Sequence, residues 1–169
     1  TYFDFFSKDT FKIIEYAKYL AQSIKMRNLT SEFLLLPFFD SSLGLTTIFK
    51  EYTINEKQIG EIITSIHDTK PRTFSEIKDY FFYKAFNKIT SISLENTSLI
   101  TINLKYSYDV NVLLEKAADN ALLRFKTPII TPEILFITMM EQKNNKVSKI
   151  IKRFFKNETN WYLLRYQLI

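Results

Sequence analysis

A chain of 169 residues with 46% hydrophobic and 16% aromatic residues has enough apolar material for a buried core, which excludes disorder. Two Gly and four Pro are too few for a turn-rich β-sandwich or a glycine-lined nucleotide loop, and with no Cys there are no disulfides, thiol nucleophiles or cysteine–zinc sites. The net charge of +5 is modest and tolerates an acidic partner, and no apolar run reaches the ~18 residues of a membrane span.

The expected fold is therefore all-α, with about eight helices. Ser7 is a good N-cap, and Phe11, Ile13, Ile14, Ala17, Leu20, Ala21 and Ile24 recur behind it at helical spacing. That helix is expected to end between Lys25 and Asn28. The run from Leu29 to Leu36 starts a second one. Thr30 can accept a bond from a free backbone N–H, Glu32 sits where the helix dipole favours a negative charge, and Pro37 should kink or shorten the helix. Ser41, Ser42, Leu43 and Gly44 read as a turn, and Thr46 to Tyr52 as a short helix burying Ile48 and Phe49. Asn55 can cap a fourth helix carrying Ile59, Ile62, Ile63 and Ile66.

From His67 to Lys105 the rhythm breaks. Ser75 to Lys88 fits a helix, and Leu99 to Leu104 alternates with a period of two, as a hairpin or an extended linker would. Then the first half recurs. Tyr106 and Ser107 match Phe6 and Ser7, and Ala121 matches Ala21, at an offset of 100. Thr131 and Glu133 match Thr30 and Glu32 at 101, so the loop between has gained one residue. Pro132 takes the first helical position, where a missing N–H costs nothing. Val147 to Phe155 echoes the short helix, and Glu158 to Leu168 echoes the fourth. One four-helix unit written twice accounts for the pattern: repeat one at 6–67, an insertion at 68–105, repeat two at 106–169, in a single pseudo-two-fold domain spanning 1–169.

The run from Phe6 to Ala21, then Leu29-Thr30-Ser31-Glu32 and a Leu-rich helix, resembles the N-terminal domain of Clp-type AAA+ unfoldases, and Tyr106 to Met140 resembles its second repeat. The specific part is the duplication in the right order and spacing. Phe33 and Ile134 stand where the family often has His, and Pro37 where it has a Gly. Pro132 leans toward the disaggregase branch over the protease partners.

The resemblance implies a non-catalytic module that docks unfolded or aggregated clients and adaptor proteins above an ATPase ring, the parent being a homo-hexamer. It implies no cofactor in this domain, with ATP and Mg in the parent's ATPase modules; this chain has no G-x-x-x-x-G-K-[ST] loop. An alternative is a stand-alone accessory of the same fold that stabilises a Clp protease or ATPase ring. Heavy use of Lys, Asn, Ile, Phe and Tyr reads as an AT-rich genome. The compartment guessed from it is a plastid-type organelle or a secretory or vacuolar lumen.

The resemblance singles out Glu32 and Glu133, with Thr30, Thr131, Ser7 and Ser107 beside them, as the client- or adaptor-binding residues. A carboxylate at an exposed helix start can pair with a guanidinium; the plainer role is capping. Phe38, Phe39, Phe125 and Tyr108 could line an apolar groove or belong to the core. Lys143, Lys146, Lys149, Lys152, Arg153 and Lys156 recur opposite Val147, Ile150, Ile151, Phe154 and Phe155. That basic face could touch nucleic acid or an anionic membrane, but the preferred reading is the solvated face of a packed helix; no nucleic acid and no membrane span are expected. His67 is the sole His, so no histidine-based metal site or triad can form.

Overall fold

Ser7 closes a short extended entry and starts the first helix. Its hydroxyl accepts from the Thr10 amide at 3.2 Å and donates to the Thr10 hydroxyl at 2.9 Å. The computed structural model describes residues 5–23, 26–39, 43, 45–52, 54, 58, 60–62, 65–66, 103–143, 145–155 and 157–169, and the fold is all-α apart from two very short strands. The expectations for Ile24, Ser41, Ser42, Gly44, Asn55, Ile59, Ile63, His67, Lys156 and the stretch 68–102 fall outside the described residues.

Helix α1 (Lys8–Ser23) buries Ile13, Ile14, Ala17, Leu20 and Ala21 on one face. Strand β1 (Asn28–Leu29) leads into α2 (Ser31–Leu35), which is buried on all sides, and a tighter 3-10 turn, Leu36–Phe39, comes directly after it. Pro37 explains the change, because it has no N–H for the next helical bond. Helix α3 (Leu45–Glu51) buries Leu45 and Phe49. Ile48 is only half-buried, so Leu45 replaces it as the partner of Phe49. Gln58, Gly60, Glu61, Ile62, Ser65 and Ile66 are helical, with Ile62 and Ile66 buried as expected.

Strand β2 (Lys105–Tyr106) opens the second half. Helix α4 (Tyr108–Asp119) runs into a π-helical turn, Asn120–Arg124. Helix α5 (Pro132–Glu141) is apolar nearly all round, α6 (Lys146–Arg153) is amphipathic, and α7 is Glu158–Leu168. Asn145 and Asn157 cap the last two through their side-chain oxygens, at 2.8 Å from the Val147 amide and 3.0 Å from the Asn160 amide.

The halves exchange their entry segments. β1 pairs in parallel with β2, Leu29 opposite Tyr106, and Phe6 forms a parallel bridge with Ile130. The Ser107 amide donates to the Leu29 carbonyl at 2.9 Å, and the Ser7 amide donates to the Ile130 carbonyl at 3.1 Å. Each entry segment thus leans on the other half's connector, and the two contacts map onto one another at the offsets of 100 and 101.

The loops that follow the first helix of each half differ by one residue between their closing bonds. The Met26 amide closes α1 by donating to the Ala21 carbonyl at 3.0 Å, and the Thr127 amide donates to the matching Ala121 carbonyl at 2.9 Å. The second loop spans one residue more, and the π turn overlaps its start. The π turn is marked by the Phe125 amide, which donates to the Asn120 carbonyl at 3.1 Å. Lys126 then takes a left-handed φ of 57° to turn the chain back.

The core joins the halves through rings. Phe136 of α5 lies 5.3 Å from Phe38 and 5.0 Å from Phe49, and Phe39 lies 6.4 Å from Phe154. Phe38 and Phe39 are therefore core, not groove, because the 3-10 turn is wedged between α1 and α5. Tyr108 is the exposed member of the expected groove and Phe125 is half-buried.

Candidate functional site

The exchange builds two helix tips from parts of both halves. At the first, Thr30 has the extended backbone of an N-cap but makes no side-chain cap bond. Its hydroxyl instead donates to Glu32 Oε2 at 2.8 Å. The expectation that Thr30 accepts a backbone bond is thus corrected: its hydroxyl is turned toward Glu32 and takes no N–H of the first turn. Glu32 is itself 2% exposed, so it is not a carboxylate on an open helix end. Its Oε1 lies 3.7 Å from Lys146 Nζ, which also donates to the Ser65 carbonyl at 3.3 Å. Beside it, the Ser31 hydroxyl donates to Asp109 Oδ2 at 2.6 Å, and the Ser107 hydroxyl donates to Asp109 Oδ1. Asp109 also accepts the Val110 amide at 3.0 Å, so it takes over the capping expected of Ser107.

The second tip is more open. The Thr131 hydroxyl accepts from the Ile134 amide at 3.3 Å with Pro132 at the first helical position, as the sequence predicts. Glu133 is half-buried and has no ion pair among the described residues. Ser7 is brought to this tip by its bond to Ile130. So Ser107 gathers with Thr30 and Glu32, and Ser7 with Thr131 and Glu133. Thr138, a turn further on, returns its hydroxyl to the Ile134 carbonyl at 2.7 Å and accepts from Asn120 Nδ2 at 3.0 Å.

Behind the first tip, Glu15 and Lys18 form a buried ion pair at 2.9 Å, and Lys18 Nζ sits 5.3 Å from the centre of the Tyr106 ring. Burial pushes the Tyr106 phenol above its ordinary value of 10.0, Lys18 pulls it down, and Glu15 pushes it up. A raised folded value means the unfolded chain gives up this proton first. The contribution to stability is present below pH 10 and is lost as pH rises through the folded value. Tyr106→Phe removes this part of the alkaline loss. Urea midpoints from neutral to strongly alkaline pH should converge toward, or cross, those of the parent chain.

The basic row lies on α6 and its flanks. Lys143, Lys149, Lys152 and Arg153 are exposed, while Lys146 is drawn in to Glu32. The sequence reading missed the other wall of this region. Glu141, at the end of α5, binds Arg124 at 2.6 Å and Arg165 at 3.4 Å, and Lys152 Nζ lies 5.8 Å from the centre of the Trp161 ring. Spacing carries a weak signal for it: Trp161 and Arg165 are four apart, hence on one helix face.

Among the described residues no group of three or more His, Cys, Asp or Glu gathers as a metal site would need, and no helix is long and apolar enough to cross a membrane. No protein-family model matches the chain, and no curated protein matches it.

Proposed function

We propose that this chain is a protein-docking module that binds client or adaptor polypeptides and performs no chemistry itself, in the manner of the N-terminal domains of Clp-type unfoldases or disaggregases that its sequence resembles. The reading rests on one observation, the reciprocal exchange of entry segments. It builds two related tips, each combining a hydroxyl-bearing N-cap residue, a first-turn glutamate and a serine from the other half. ATP and Mg belong to ring-forming modules of a parent hexamer.

The two glutamates have different duties. Glu32 is held by Lys146 and Thr30 and stabilises the fold. Glu133, half-exposed and free of ion pairs among the described residues, is the one that meets a cationic client. Glu133→Gln is expected to weaken binding of an arginine-rich unfolded polypeptide by about fivefold, the weight of one partly exposed ion pair, with the melting temperature unchanged. Glu32→Gln should lower the melting temperature with a smaller effect on binding. Unchanged affinity in Glu133→Gln, or ATP hydrolysis by the purified chain, contradicts the reading.

A further inference from the structure

The face made by the end of α5, α6 and α7 holds a concavity of about 590 Å³, within the range of small-ligand and side-chain pockets. Lys143, Lys149, Lys152 and Arg165 line it, with Trp161 and Tyr162 on one wall. A smaller recess of about 280 Å³ adjoins it and shares Lys152, Trp161 and Tyr162. We propose that this concavity docks an acidic peptide segment of a partner protein, one in which carboxylates flank an apolar side chain.

Three observations carry it. The first is charge. Glu141, the acid in the wall, is already bound by Arg124 and Arg165. Lys143, Lys149 and Lys152 are exposed and have no carboxylate partner among the described residues, so the hollow has a surplus of positive charge facing solvent. The second is the aromatic wall. The Trp161 and Tyr162 rings meet edge to face at 5.0 Å, and Tyr162 is 54% exposed, an apolar surface suited to an aliphatic or aromatic anchor. The third is an unmet donor. The Trp161 indole N–H is buried with no acceptor among the described residues. Because the N–H is covered in the free chain, the Trp161 ring has to turn for a docked carbonyl or carboxylate to satisfy it.

A nucleic acid suits the hollow less well. It carries a phosphate at every step and needs a positive track along its backbone. Here the cations surround one hollow, with Glu141 in its wall and Glu158 in the adjoining recess. A peptide can present its carboxylates to the lysines and its apolar side chain to the rings. The proposal does not depend on the helix tips, and failure there would leave it standing.

Trp161 is the only tryptophan in the chain, so its fluorescence reports on this wall alone. The test titrates the intact chain with a decapeptide of Glu and Asp bearing two central leucines, its lysine counterpart, and an oligothymidylate of the same net charge, with calorimetry in parallel. The acidic peptide should bind saturably, change the Trp161 emission, and weaken as salt rises. In Lys149→Glu/Lys152→Glu it should bind about tenfold more weakly, with an unchanged circular dichroism spectrum because both side chains are exposed. Lys149→Ala/Lys152→Ala gives the same direction if charge reversal impairs folding. No saturable binding, equal affinity in both variants, or oligothymidylate binding as tightly as the acidic peptide would overturn the proposal.

Discussion

Phe136→Ala is expected to lower the unfolding free energy by about 3–5 kcal/mol, the usual cost of emptying a phenylalanine site in a packed core. The site offers little means of collapse. Phe136 is 1% exposed and lies on α5, whose residues Ile134 to Met140 are all buried. Its ring is held between Phe38 and Phe49, both from the first half, at 5.3 and 5.0 Å. These rings sit on a 3-10 turn and a separate helix, so both would have to shift together to fill the hole. A domain of this size has about 5–15 kcal/mol in total, so the loss takes a large share. Urea unfolding followed by circular dichroism measures it. A change under 1 kcal/mol would mean that these rings do not join the halves.

Leu29→Ala and Ile130→Ala should each cost about 2–4 kcal/mol, and by similar amounts. Both residues are fully buried, and both lie in the connector that receives the other half's entry segment. Truncating either removes the side chain without removing the backbone bonds, Ser107 N–H to the Leu29 carbonyl and Ser7 N–H to the Ile130 carbonyl. The costs are expected to match because the sites do the same task. A cost at one site and none at the other, in the same urea experiment, would mean that only one exchange supports the fold.

The helices were legible because their signals are local. The last helix runs from Glu158 to Leu168 as its pattern predicts, and Thr131 caps α5. Thr30 fails the same rule because its hydroxyl is oriented toward the buried Glu32 carboxylate rather than the free amides, something only the folded arrangement reveals. Phe38 and Phe39 could be read as groove or core, since sequence does not say what packs on a short 3-10 turn. The exchanged strands were hidden for another reason. Each is one or two residues long, too short for a period of two to show, and its partner is half a chain away. The change of offset before Thr131 was visible in the sequence, but the π turn at Asn120–Arg124 was not. For the candidate site, the six residues were named from local helix starts, and their grouping across halves is a consequence of the exchange; the burial of Glu32 against Lys146 came from tertiary packing that no local pattern encodes.

Native-state hydrogen exchange at the Ser7 and Ser107 amides tests the clasp most directly. Both donate across the halves, at 3.1 and 2.9 Å, so both should exchange only through global opening, and their protection should fall together as urea is added. A Ser7 amide that exchanges freely while Ser107 stays protected would contradict a reciprocal clasp between the two halves.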